Sequence, residues 1–157
     1  MAESAATLRV AAAGVGEDTW VSTPVRALLE CAQHARWVCG VDEIIAQALS
    51  KTPWLFDPEE LAAVAAELRF SAGLRRIASV ADALAAFADG DDRMPAHARA
   101  VVAVDGAYAG VCERAGAGER WLGLDPNEPR DAAVMLDRRR RVWWHIAPGE
   151  LAEHLLH

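Results

Sequence analysis

The chain lacks any long uninterrupted apolar run, and it lacks a cationic start followed by an apolar stretch. Met1 to Val10 instead holds Glu3 and several polar residues. Neither a signal peptide nor a transmembrane span is therefore expected. Cysteine is scarce: Cys31, Cys39 and Cys112 are an odd number in 157 residues. That count does not make a disulfide framework and points to a reduced, cytoplasmic setting. Basic charge is short too. With 16 Lys+Arg against 23 Asp+Glu, the formal net charge is −7. A dedicated nucleic-acid binder would need clustered cations to neutralise phosphate. No tandem repeat and no obvious interdomain linker occur, and the one low-complexity stretch is Arg138 to Arg141.

What is present suits one domain over residues 1–157, since 53% hydrophobic and 25% charged residues allow a proper core. The apolar content leans on alanine more than on large side chains, which favours helices. Charge is unevenly spread. Between Arg114 and Arg141 seven Arg face five acids, a net +2, leaving 9 basic against 18 acidic residues elsewhere, a net −9. This asymmetry could set a basic strip against an acidic partner, or it could be a solvated loop tip.

The order of elements predicts an α+β fold. A small β opening comes first, with strands over Thr7 to Ala13 and Thr19 to Ser22 around a Gly14-Val15-Gly16 turn. A four-helix region (about 23–88) follows. Thr23 can cap the first helix, and Pro24 sits where its missing N–H costs nothing. The second helix runs from Val41 to Leu49 with Val41, Ile44, Ile45, Ala48 and Leu49 inward. Asp57-Pro58-Glu59-Glu60 is a strong start for the third. Gly73 should break the chain before a fourth helix over Leu74 to Ala88. There Arg75, Arg76, Ser79 and Asp82 lie off the apolar stripe and are expected to face outward.

Asp89 to Pro95 is the expected seam to a β-rich half (about 95–157). Val101 to Val104 and Tyr108 to Cys112 could pair across Asp105-Gly106, with a helix over Pro95 to Val104 as the competitor. Strands are expected over Arg120 to Leu124 and Arg141 to Ile146. A short last helix opens at Pro148-Gly149-Glu150.

Candidate chemistry is thin. Gly14-x-Gly16 lacks the third glycine and the helix start of a dinucleotide fingerprint, so it reads as a turn. Cys31, His34 and Cys39 make an incomplete zinc set, and small core residues are the better account of the cysteines. No metal and no cofactor are expected. Pairings such as Cys112 with His145, or Cys31 with His97, have no local signature of a nucleophile and its base. Trp143-Trp144 in a strand places one indole on each sheet face, either as core or as an exposed anchor beside Arg138, Arg139, Arg140 and Arg141. Arg75-Arg76 could contact an anion or a partner, or be a solvated face paired with Asp82 or Glu67.

Several local patterns recur in a fixed order. They are Thr23-Pro24-Val25-Arg26-Ala27-Leu28-Leu29-Glu30, Gly40-Val41-Asp42-Glu43, Arg75-Arg76-Ile77-Ala78-Ser79-Val80, Leu124-Asp125-Pro126 and Val142-Trp143-Trp144. Together, over roughly residues 5 to 147, they resemble the C-terminal domain of AbiEi-like antitoxins, the type IV (abortive-infection) family. Two departures stand out. Val25 occupies a position where that family commonly has Glu, and the winged-helix DNA-binding domain usual before this region has no counterpart in the twenty or so residues ahead of Thr23. The resemblance implies a non-enzymatic, regulatory protein that antagonises a nucleotidyltransferase-like toxin. Its partner-facing residues would be Arg75, Arg76, Arg138, Arg139, Arg140, Arg141, Trp143 and Trp144, with weak nucleic-acid contact through Arg138 to Arg141 and no membrane partner. The alternatives are a small cytoplasmic enzyme with a Cys/His site, and a structural subunit of a larger assembly.

Overall fold

The computed structural model describes residues 7–9, 20–52, 57–88 and 120–151. Among these residues the architecture is α+β: a two-stranded hairpin-like pair, four helices, a three-stranded mixed sheet and a short helix at 148–151. Strand β1 (Thr7–Arg9) pairs antiparallel with β2 (Trp20–Ser22). The Gly14-Val15-Gly16 turn, the seam at Asp89 to Pro95, both readings of 95–112, and Cys112 and His97 lie outside the described residues.

Helix α1 (Pro24–Gln33) begins as its sequence dictates. Thr23 Oγ1 accepts from the Arg26 amide at 3.2 Å with Pro24 in the first turn, and Arg26 Nε reaches Glu30 Oε1 at 2.8 Å. Helix α2 (Val41–Lys51) follows Gly40. It buries Val41, Ile45, Ala46 and Leu49. Ile44, expected inward, is exposed. The helix rotates so that Asp42 is buried beside His145, with His145 Nε2 3.7 Å from Asp42 Oδ2. Helix α3 (Pro58–Leu68) is capped by Asp57 Oδ1 on the Glu60 amide at 2.9 Å.

Helix α4 (Ser71–Ala88) starts three residues earlier than its apolar stripe suggests, and Gly73 lies inside it instead of breaking it. The reason is close packing. A Cβ on Gly73 would stand 2.9 Å from both the Gln33 amide nitrogen and the Leu29 carbonyl oxygen of α1. The Gly73 amide also donates to Gln33 Oε1 at 2.9 Å. Glycine is here the residue that lets two helix backbones approach.

Strands β3 (Leu122–Gly123), β4 (Met135–Asp137) and β5 (Val142–Trp144) form a sheet in the order β3-β5-β4. β5 runs parallel to β3 and antiparallel to β4. The expected strands at 120–124 and 141–146 are present but shorter, and β4 carried no clear sequence signal. One continuous buried cluster joins Leu29, Ile45, Leu61, Leu74 and Ile77 of the helices to Leu124, Val142, Trp144 and Leu151. Among the described residues no helix is long and apolar enough to cross a membrane.

Candidate functional site

Three of the six arginines expected at the surface, in α4 and the 138–141 run, prove to be structural. Arg75 is 3% exposed and Arg76 5% exposed. Both point into the helix–sheet seam, which corrects the expectation of an outward, partner-contacting pair. Arg75 donates from Nε to the Arg140 carbonyl at 2.7 Å, and from Nη2 to the carbonyls of Arg120 and Arg141 at 3.0 Å each. Arg76 donates from Nε to the Gly123 carbonyl and from Nη1 to the Ala32 carbonyl, each at 2.8 Å. A planar, multi-donor guanidinium can satisfy carbonyls at strand and helix ends that a short side chain could not reach. Burial, and next the neighbouring Arg75, push Arg76 down to about 10 against the pull of Asp125, so it stays charged at neutral pH.

Arg140 is the third. At 2% exposed it pairs with Asp82 of α4 and, at 3.2 Å, with Asp137 of β4. Burial works to lower its pKa, yet the two carboxylates outweigh burial and hold it above the ordinary value. Asp137 Oδ1 also accepts from the Arg140 amide at 3.0 Å, closing the turn into β5. The same seam holds a polar chain. Trp144 Nε1 donates to Ser79 Oγ at 2.9 Å, and Ser79 Oγ donates to Asp137 Oδ2 at 2.7 Å. Arg140 Nε and Nη2 are buried without a hydrogen-bond partner among the described residues. Beside this network lies a cavity of about 450 Å³ whose lining includes Ser79, Ala83, Met135, Arg139 and Pro148.

The tryptophans of β5 also depart from expectation: neither is an exposed anchor. Trp144 is fully buried against α4. Trp143 is 7% exposed on the other sheet face, where it lies across Gly123. A Cβ at Gly123 would be 2.7 Å from Trp143 Cζ2, so the missing side chain makes the room for the indole.

What remains on the surface is narrower than the sequence suggested. Arg138, Arg139 and Arg141 are exposed on the β4–β5 turn, with Arg141 in the left-handed region at φ 53°. Exposed Leu136 lies on β4, a sheet edge among the described residues, and exposed Val134 just precedes that strand. Because one Arg75 nitrogen holds the carbonyls of both Arg120 and Arg141, the exposed Arg120 joins the same tip.

Among the described residues the thiol and imidazole candidates do not assemble into a site; the pairings that need Cys112 or His97 lie outside them. Cys31 is half-buried and Cys39 exposed. His34 stacks on Trp37 at 5.4 Å and meets Phe70 edge-on at 5.6 Å, so it serves as an aromatic spacer. Among the described residues no group of three or more His, Cys, Asp or Glu is placed to hold a metal ion.

Sequence reasoning missed Arg36 and Trp37. They lie on a 3₁₀ turn (Ala35–Trp37) after α1, and Trp37 is 81% exposed. They line a second cavity of about 290 Å³ with Gln33, His34, Arg76 and Pro126. The available signal was an Arg-Trp pair in a stretch with no periodic apolar face to absorb it. The chain matches no protein-family model, no curated protein and no solved structure.

Proposed function

We propose that this protein is a non-enzymatic, antitoxin-like regulatory domain that acts through protein contacts and antagonises a nucleotidyltransferase-like toxin. The family part of this reading rests on the ordered sequence patterns alone. The observation that supports a contact role is the tip of the β4–β5 turn. Arg138, Arg139 and Arg141 stand in solvent beside exposed Val134 and Leu136, on a chain whose formal net charge is −7. Cations at one end of an edge strand whose outer side chains are apolar suit an acidic partner surface with an apolar portion. Arg75, Arg76, Arg140, Trp143 and Trp144 leave the partner-facing set, because burial commits them to the fold.

The test is co-expression with a neighbouring nucleotidyltransferase-like gene, scored as growth. The wild-type chain should restore growth, and the triple variant Arg138→Glu, Arg139→Glu, Arg141→Glu should not, at equal abundance and unchanged circular dichroism. Rim charges act mainly on association rate and salt dependence, so the toxin complex should also weaken with added salt. Full rescue by the triple variant would remove the tip from the mechanism, and failure of the wild-type chain to rescue would end the antitoxin reading. If Ala substitutions at Cys31, Cys39 and Cys112 leave rescue intact, a thiol nucleophile is not required.

A further inference from the structure

The cavity at the end of α1 combines features that neither the fold nor the proposed contact tip requires. Arg76 is anchored at its Nε and Nη1 by the Gly123 and Ala32 carbonyls. Its Nη2 makes no hydrogen bond to a described residue, and the side chain lines the cavity. A cation held in this way is positioned in advance, so it loses little freedom when it binds an anion. Arg36, on the 3₁₀ turn, supplies a second cation; among the described residues no carboxylate lines the cavity, although Asp125, next to the lining Pro126, draws on Arg76. In an acidic chain, such a concave cationic spot concentrates anions locally.

Trp37 adds the second half of the chemistry. One face of its indole is stacked near-parallel on His34, at 8° between the ring planes, and His34 is braced in turn by Phe70. With 81% of the residue exposed, the other indole face is open. The α1 C-terminus explains one cation there, since Arg76 satisfies the Ala32 carbonyl. It does not explain a braced, solvent-facing indole beside a second arginine.

We infer that this cavity is a binding site for a nucleoside 5′-monophosphate, with the phosphate between Arg36 and Arg76 Nη2 and the base stacked on the open face of Trp37. The volume of about 290 Å³ lies at the small end of ligand pockets and fits the phosphate and sugar, with the base lying outside on the indole. The phosphate can belong to a free mononucleotide or to the 5′ end of a single strand. The site is independent of the β4–β5 tip.

Isothermal titration of the full chain with AMP, adenosine and inorganic phosphate tests the assignment. AMP should bind saturably at one site, with adenosine and phosphate each weaker by about tenfold or more. Arg36→Ala should weaken AMP about tenfold and lessen its salt dependence. Trp37→Ala should weaken AMP about tenfold and leave phosphate unchanged. Both side chains are on the surface, so these variants should keep the wild-type circular dichroism and melting temperature. A 5′-phosphorylated dinucleotide and its unphosphorylated form separate the two sources. Tighter binding of the phosphorylated dinucleotide than of AMP assigns a strand end, and the reverse assigns a free nucleotide. The proposal is overturned if AMP does not saturate the chain, if it binds no better than phosphate, or if both variants bind it like wild type. Loss of toxin rescue by Trp37→Ala without any AMP binding would instead make Trp37 a protein anchor.

Discussion

Ser79→Ala probes the seam between α4 and the sheet, because Ser79 links Trp144 to Asp137 in the polar chain. Its hydroxyl donates to the Asp137 carboxylate at 2.7 Å and accepts from the buried Trp144 indole at 2.9 Å. The substitution removes two bonds of different kinds. A hydrogen bond to a charged group is worth about 1.5–3 kcal/mol, and the lower end applies because Asp137 keeps Arg140. A fully buried indole N–H left without an acceptor costs about 1–3 kcal/mol. The expected loss of stability is therefore about 3 kcal/mol, equivalent to roughly 6–12 °C in melting temperature for a chain of this size.

A double-mutant cycle separates the two parts. In a Trp144→Phe background there is no indole donor to orphan, so Ser79→Ala should cost only about 1.5 kcal/mol. The coupling energy should then be about 1–2 kcal/mol. Urea unfolding of the four proteins, followed by far-ultraviolet circular dichroism, measures each term. A cost below about 1 kcal/mol for Ser79→Ala, or additivity within about 0.5 kcal/mol, refutes the reasoning. A small cost would mean that water from the adjacent 450 Å³ cavity takes over both bonds, and additivity that it takes over the indole bond alone.

Gly73→Ala should destabilise by about 1–3 kcal/mol in a thermal melt, although alanine is the better helix former by about 1 kcal/mol, since the new Cβ meets α1 backbone. Thr23→Ala and Asp57→Ala should each cost about 1 kcal/mol through the lost caps of α1 and α3, read from urea midpoints. Arg140→Met should cost about 3–5 kcal/mol in the same unfolding assay, because it leaves two carboxylates facing each other across the seam.

The helical half was legible because its signals are local. Thr23 with Pro24, and Asp57 with Pro58 and Glu60, state a helix start within four residues, and the structure begins α1 and α3 there. The arginines of α4 were misread for the opposite reason. Arg75 and Arg76 lie off the apolar stripe, where a charged side chain is ordinarily solvated. Their partners are carbonyls 44 to 66 residues away, supplied by strand ends and by the end of α1, which no periodicity within α4 reports. Gly73 was misread likewise: inside one helix it looks like a break, and only the backbone of α1 shows why it is tolerated. Strand β4 is three residues long and half-exposed, too short for alternation to mark it.

The residues behind the family resemblance can now be separated from those able to act. Thr23 caps α1, Arg26 pairs with Glu30, Arg75 and Arg76 staple the sheet, and Trp143 and Trp144 fill its two faces. Asp125 draws on Arg76 and accepts from the Asn127 amide at 2.8 Å, which holds the turn after β3. Side chains that already spend their hydrogen bonds and burial on the fold have little left for a partner. A shared pattern at these positions therefore specifies a scaffold, and two proteins could share it while binding different molecules. Function has to be sought where the pattern is silent and the chemistry is unspent. Two such places follow from the structure: the exposed Arg138 and Arg139 of the β4–β5 tip, and the Arg36–Trp37 turn, where Arg76, Gln33 and Pro126 of the scaffold line the site as well.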